Sequence, residues 1–266
     1  AGDINGDSLG DFLIAAPAAG SGNSGRGQTY LVYGQPAGSP LSGAFTLADV
    51  GGAVAGATFN GIENYDRSGW SVSAAGDVNG DGLDDLIIGG MYANDYGQVY
   101  LVYGQDNDNP LSGPLDLADL GGAVAGAIFN GIHDDDYAGR SVSGAGDVNG
   151  DGLDDLLIAA TSANQVYLVY GQPNTSLLSG SLDLADVGAA VAGTTFNGVE
   201  SGDLTGVSIS SAGDVNGDGL ADLLIATPYA NAAGSNRGQT YLVYGRREGR
   251  VTWIDSGNDS WDDHLN

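Results

Sequence analysis

Apolar residues in this chain gather in runs of three to five, each closed off within a few positions by Gly, Asn, Asp, Ser or Pro. The most apolar set is Phe12-Leu13-Ile14-Ala15, Leu86-Ile87-Ile88-Gly89, Leu156-Leu157-Ile158-Ala159 and Leu223-Leu224-Ile225-Ala226. Runs this short and continuous, bounded by turn formers, predict strands buried on both faces. A second set reads Tyr30-Leu31-Val32-Tyr33-Gly34, Tyr100-Leu101-Val102-Tyr103-Gly104, Tyr167-Leu168-Val169-Tyr170-Gly171 and Tyr241-Leu242-Val243-Tyr244-Gly245. The third is Phe59-Asn60-Gly61-Ile62, Phe129-Asn130-Gly131-Ile132 and Phe196-Asn197-Gly198-Val199. The fourth is Trp70-Ser71-Val72-Ser73, Arg140-Ser141-Val142-Ser143 and Val207-Ser208-Ile209-Ser210. β-Branched and aromatic side chains suit a pleated, half-buried surface. Helix has little place here, because the chain holds 47 glycines and each would cost about 1 kcal/mol in a helix interior. Only the stretches around Leu47-Ala48-Asp49-Val50, Leu117-Ala118-Asp119-Leu120 and Leu184-Ala185-Asp186-Val187 look capable of a helical turn.

The four phrases recur together, so the chain is a repeat protein. Four short antiparallel strands per unit describe the blade of a β-propeller, an all-β fold. The repeats run over about 1–62, 63–132, 133–199 and 200–254 of one domain, followed by an acidic tail at 255–266. The first repeat lacks its opening strand, and the last offers only Arg250-Val251-Thr252-Trp253-Ile254 after its Tyr-Leu-Val-Tyr phrase. One reading closes a four-bladed ring within the chain by adding that strand to the N-terminal blade or to its own. Others make the chain a half-ring that pairs with a second copy, or a fragment of a larger propeller.

Each repeat carries one acidic phrase, Asp-x-Asn-Gly-Asp-(Gly/Ser)-Leu-x-Asp, starting at residues 3, 77, 147 and 214. Oxygen donors at positions one, three, five and nine, with the carbonyl of position seven, converge when the loop folds around a cation. Calcium takes six to eight such oxygens at roughly 2.3–2.6 Å. The expected ligands are Asp3, Asn5, Asp7, Leu9 and Asp11; Asp77, Asn79, Asp81, Leu83 and Asp85; Asp147, Asn149, Asp151, Leu153 and Asp155; and Asp214, Asn216, Asp218, Leu220 and Asp222. About four Ca²⁺ are therefore expected, one per repeat. Softer metals prefer sulfur or imidazole, and the chain has no Cys and two His. An EF-hand fails on spacing, since position twelve is an isoleucine inside the following strand instead of a bidentate Glu. Position six is Gly82, Gly152 or Gly219, where the turn calls for positive φ; Ser8 in the first copy predicts weaker binding there.

Composition narrows the partners. Thirty-four acidic residues against seven basic ones give a formal charge of −27. Such a surface repels nucleic acid and anionic membranes. No stretch approaches the roughly 20 apolar residues that span a bilayer. Low-affinity calcium loops fill where free calcium is near millimolar, which favours an extracellular, secreted or cell-surface setting. The chain opens inside a repeat, so a leader or further repeats are expected to have been removed.

Residues 69 to 90, Gly-Trp-Ser-Val-Ser-Ala-Ala-Gly-Asp-Val-Asn-Gly-Asp-Gly-Leu-Asp-Asp-Leu-Ile-Ile-Gly-Gly, resemble an FG-GAP repeat, the unit of the integrin α-chain propeller and of many bacterial relatives. The resemblance covers residues 1 to about 245. It implies four blades, each a four-stranded antiparallel sheet with its calcium loop between strands one and two, and a ligand face opposite those loops. Two departures stand out. Phe-Gly is replaced by Gly69-Trp70, Gly139-Arg140 and Gly206-Val207, and Gly-Ala-Pro survives only as Ala15-Ala16-Pro17 and Ala226-Thr227-Pro228.

The opposite face would collect Arg26, Tyr65, Asp66, Arg67, Trp70, Tyr92, Asp95, Tyr96, Asp134, Asp135, Asp136, Tyr137, Arg140, Tyr229 and Arg237. Tyr, Trp and Arg on a rigid scaffold anchor partners well. Bland readings compete at several of these positions. Trp70 opens an inner strand and is expected in the core; Arg67 and Arg140 offset nearby carboxylates; His133 marks a solvated turn; Trp253 is a packed strand residue. The resulting expectation is a non-enzymatic, calcium-binding extracellular propeller for adhesion or protein interaction, as a monomer or homodimer, with calcium structural. A carbohydrate-binding propeller is one alternative, and a polysaccharide-processing enzyme or its propeller module another. No nucleophile elbow or phosphate loop appears.

Overall fold

A computed structural model describes residues 1–20, 25–200, 202–230 and 237–247, with backbone alone for 252–254. The first repeat contributes strands β1 (Phe12–Ala16), β2 (Gln28–Val32) and β3 (Gly56–Asn60). The second contributes β4 (Ser71–Gly76), β5 (Asp85–Gly90), β6 (Gln98–Val102), β7 (Gly113–Asp116) and β8 (Gly126–Asn130). From the third come β9 (Ala138–Gly146), β10 (Asp155–Ala160), β11 (Gln165–Val169), β12 (Gly180–Asp183) and β13 (Gly193–Asn197). The fourth holds β14 (Ser208–Gly213), β15 (Asp222–Thr227), β16 (Gln239–Tyr244) and β17 (Thr252–Ile254). The three expected helical turns form as single 3-10 turns at Leu47–Asp49, Leu117–Asp119 and Leu184–Asp186.

Register repeats from blade to blade. Ile14 lies opposite Tyr30, Ile88 opposite Tyr100, Ile158 opposite Tyr167 and Ile225 opposite Tyr241. Strands of period two send alternate side chains to opposite faces, so each apolar run serves two seams. Leu86 and Ile88 join a core with Leu31, Tyr33 and Phe59 of the first blade, while Ile87 joins Leu156 and Ile158 of the third. Leu157 in turn packs with Leu223 and Ile225 of the fourth. That double duty explains why these runs are apolar throughout.

Inner strands β4, β9 and β14 lie side by side. Their small serines link adjacent blades: the Val142 amide donates to Ser71 Oγ at 3.0 Å and the Ile209 amide to Ser141 Oγ at 3.4 Å. Residues any larger would push the inner edges apart.

Two features go beyond the expected four-stranded blade. Strand β7 of the second repeat pairs in parallel with β3 of the first, and β12 of the third pairs in parallel with β8 of the second. Each strap covers the outer edge of the preceding sheet, so the second sheet has five strands. The other finding concerns closure. Backbone 252–254 pairs with β16 of its own blade, and among the described residues no strand of the fourth sheet pairs with the first. Among the described residues the four sheets thus stand in series without closing a ring, which corrects the reading of a ring closed within the chain. Arg250 and Val251 lie outside the described residues, as do the side chain of Trp253 and the tail at 255–266.

Candidate functional site

The four acidic loops share one hydrogen-bond plan. In the second copy, Asp77 Oδ1 accepts from the amides of Gly80 and Asp81 and its Oδ2 from Gly82. Asn79 Oδ1 accepts from the Asp81 amide, Asn79 Nδ2 donates to Asp81 Oδ2, and Asp81 Oδ1 accepts from Leu83 N. Asp147, Asn149 and Asp151, and likewise Asp214, Asn216 and Asp218, repeat the set. Such Asx-type bonds are what short Asp and Asn side chains offer a turn.

Position nine braces the loop to the sheet. Asp85 Oδ2 accepts from Val78 N at 3.0 Å, and its Oδ1 accepts from Gly104 N at 2.8 Å at the end of the Tyr-Leu-Val-Tyr strand. Asp11, Asp155 and Asp222 do the same with Ile4 and Gly34, Val148 and Gly171, and Val215 and Gly245. All four are buried. Burial pushes the Asp85 carboxyl up to about 8, against the amide bonds that lower it, with Asp81 and Asp77 adding repulsion. Asp155 is pushed up to about 7 by the same balance, and Asp11 is raised for the same first cause.

The turn geometry matches the sequence expectation. Position six has φ of 87°, 90° and 85° at Gly82, Gly152 and Gly219, and Ser8 is forced to 68°. A non-glycine residue held there costs roughly 1–2 kcal/mol. The first copy is also looser, with Asn5 Nδ2 3.2 Å from Asp7 Oδ2 against 2.9 Å in the others. The position-seven side chains seat the loops on one another, Leu83 against Gly6, Leu153 against Gly80 and Leu220 against Gly150.

These residues fit a hard cation by chemistry: an all-oxygen donor set with three carboxylates in nine residues, one of them buried where ionisation is penalised unless a positive charge stands near. Among the described residues, however, no three carboxylate or imidazole groups already stand together as a metal cluster. Main-chain amides hold the loop in their place.

On the other side, the loops converge differently. Arg67 lies over two rings, 6.0 Å from the centroid of Trp70 and 5.2 Å from that of Tyr92. Trp70 meets Tyr92 edge-on at 6.2 Å, and Tyr92 meets Tyr137 at 5.5 Å. The cluster joins the turn leading into β4, the β5–β6 loop and the turn leading into β9. Trp70 is 41% exposed, which corrects its expected place in the core. Its amide bonds to Gly89 and Arg67 hold it at the loop end of the sheet, where the ring lies across Tyr92. Arg67 faces aromatic rings instead of offsetting a carboxylate. Arg140 reaches Thr161 Oγ1 at 3.5 Å. Tyr65 and Tyr229 are exposed on their own loops.

One signal in these turns escaped the sequence reading. Asp66, Asp136 and Asp203 each stand five residues after a glycine, and each is buried. Their Oδ2 atoms accept from the amides of Glu63, His133 and Glu200. Asp66 and Asp136 therefore shape the turn and do not belong to the exposed face. Residues on either side take left-handed backbone: Tyr65 and Arg67, Asp135 and Tyr137, Gly202 and Leu204. A repeated turn thus displays a different side chain from each blade: Arg67, Tyr137, Leu204. His133 forms part of this turn, its Nδ1 3.4 Å from Asp136 and its side chain 77% exposed.

Comparison with known proteins agrees with this geometry. The FG-GAP repeat profile matches residues 1–32, 68–102, 138–169 and 205–243, one match per blade. The chain is similar to the phosphatidylinositol-glycan-specific phospholipase D of Rattus norvegicus, 32% identical over 193 residues. It is also similar to integrin alpha pat-2 of Caenorhabditis elegans, 29% identical over 197 residues, and to human integrin alpha-IIb, 29% over 178. These matches cover 68%, 70% and 64% of the chain but only 21%, 14% and 15% of the relatives. With its four matched repeats and four sheets, the chain belongs to the FG-GAP repeat family.

Proposed function

We propose that this chain is a non-enzymatic, calcium-stabilised interaction module that acts outside the cell and binds a protein partner through the Arg67–Trp70–Tyr92–Tyr137 cluster. The observation that carries the reading is that cluster: large, partly exposed rings and one of only seven basic residues, gathered from three loops onto one spot of a very acidic chain. Aromatic and arginine side chains on a rigid frame are what binding hot spots use. Calcium would be held by Asp, Asn, Asp, the Leu carbonyl and Asp of each loop. When bound it supplies charge that offsets clustered carboxylates. An extracellular setting is supported by integrin-named relatives and by loops of a type that fill near millimolar calcium.

A non-catalytic role is supported by the carboxylates themselves. The strongly shifted ones, Asp85 and Asp155, are repeat-loop braces that each accept two main-chain amides, not an acid–base pair. The phospholipase-named relative matches over 21% of its length, so its activity is not carried over. A lectin-like reading is favoured by one feature, the pair of partly exposed rings Trp70 and Tyr92, since aromatic rings can stack on a sugar. An array of extracellular proteins and glycans, probed with the chain and with its Arg67→Ala/Trp70→Ala variant, separates these readings. The expected result is protein binding that the variant loses while its melting temperature holds. Glycan-only binding would shift the assignment to the lectin-like reading, and binding unchanged in the variant would remove the site.

A further inference from the structure

Asn-Gly is the dipeptide most prone to lose its side-chain amide, because glycine brings no Cβ to shield its own backbone nitrogen from the asparagine Cγ. The chain contains seven such pairs. In six of them a hydrogen bond holds the nitrogen that would attack. The amides of Gly61, Gly131 and Gly198 donate to the carbonyls of Gly27, Gly97 and Asn164 at 3.0, 2.9 and 2.7 Å. Those of Gly80, Gly150 and Gly217 donate to Oδ1 of Asp77, Asp147 and Asp214 at 2.7, 2.6 and 2.6 Å. The Gly6 amide makes no such bond among the described residues, and Asp3 accepts from Asp7 and Ser8 instead.

The difference lies inside the first loop. Ser8 stands at φ 68°, short of the 87°, 90° and 85° of Gly82, Gly152 and Gly219. The Asp3 carboxylate is drawn to the Ser8 amide, 2.7 Å away against 2.9 Å at each of those glycines, and loses its third donor. The asparagine is held less tightly as well: Asn5 Oδ1 lies 3.2 Å from the Asp7 amide, against 2.8 Å in the other three loops. There is also room for water. A cavity of about 410 Å³ opens beside Asn5 and Asp7 and is lined further by Gln35, Asn107 and Pro110. At the next joint the Asn174 amide closes onto the Asn79 carbonyl at 3.0 Å. Asn107, in the matching position, makes no such bond among the described residues, because Asp106 curls its own turn by accepting from the amides of Asp108 and Asn109.

We propose that Asn5 is a site of spontaneous deamidation, a modification that rewrites the first acidic loop and spares the other three. The Gly6 nitrogen bonds to Asn5 Cγ, the Cγ–Nδ2 bond breaks, and the Gly6 proton departs with Nδ2 as ammonia. Water then opens the succinimide, and nothing is oxidised or reduced. Opening at Cγ leaves aspartate; opening at the main-chain carbonyl leaves isoaspartate, with Cβ inserted into the backbone. Either product adds a negative charge beside Asp3 and Asp7. Isoaspartate also lengthens the loop between its first and fifth positions, which moves Asp3 away from the Asp7 and Ser8 amides that it now accepts.

Incubating the full chain in calcium at neutral pH, with peptide mapping by mass spectrometry over time, reads all seven pairs in one sample. Asn5 is expected to convert about tenfold faster than Asn79, Asn149 and Asn216, a factor within the worth of one hydrogen bond to a charged acceptor. Equal rates, or a faster pair elsewhere, overturn the proposal. Unfolding in urea should erase the lead, since every pair is then equally free; a lead that survives in urea belongs to the neighbouring sequence and overturns the structural assignment. Ser8→Gly should return the Gly6 amide to Asp3 and slow Asn5 to the pace of the other loops. An unchanged Asn5 rate in that variant contradicts the role given to the strained first turn.

Discussion

The two faces of this molecule treat the same repeat in opposite ways. On the acidic-loop face, position nine accepts the same two amides in all four copies, and the side chains at positions one, three and five accept loop amides at distances that differ by only a few tenths of an ångström. On the other face, the turn backbone also repeats, down to the buried Asp66, Asp136 and Asp203 and the left-handed residues beside them, but the displayed side chains do not. Repetition of side chain and backbone marks what holds the blades together. Repetition of backbone alone marks a frame for presenting variable groups, which is where recognition belongs.

Substitutions can push on this contrast from both ends. Removing the brace with Asp85→Ala strands two buried amides, Val78 and Gly104, and should cost on the order of 3 kcal/mol, read by urea unfolding. A value under about 1 kcal/mol would show that the brace matters little. Asp136→Ala removes one acceptor from the His133 amide in a single turn, so a smaller loss of about 1–2 kcal/mol is expected in the same assay. Ser8→Gly should act in the other direction. It relieves left-handed strain, stabilising the chain by roughly 1 kcal/mol, and should bring the first loop's calcium affinity toward the other three in a calorimetric titration. At the far end of the scale, Arg67→Ala with Trp70→Ala should shift stability by less than about 0.5 kcal/mol. If that pair unfolds the chain, the cluster is structural and the contrast between the faces fails.

Much of the scaffold was legible because it is local. The acidic phrase, the apolar run and the Tyr-Leu-Val-Tyr phrase each specify a turn or a strand within ten residues, and their order fixes the blade. The straps were not legible, because β7 and β12 are four residues long and gain their partners only from the neighbouring repeat. Trp70 was misplaced because its position at the start of an inner strand pointed inward, while the turn built on Asp66 and the left-handed Arg67 leaves it at the loop end. The buried turn aspartates carried a signal, their constant offset from a glycine, but acidic residues in loops read as solvated. Closure depends on how the blades accumulate around an axis, which no local phrase encodes.

We propose that calcium in the acidic loops holds these blades together. Each site filled at a hundredfold excess over Kd contributes about 2.7 kcal/mol, and four such terms rival a typical total stability of about 5–15 kcal/mol. The direct measurement is thermal unfolding in millimolar calcium and again in excess EDTA. A large fall in Tm, or outright unfolding, on chelation is the predicted result; an unchanged Tm would contradict the account.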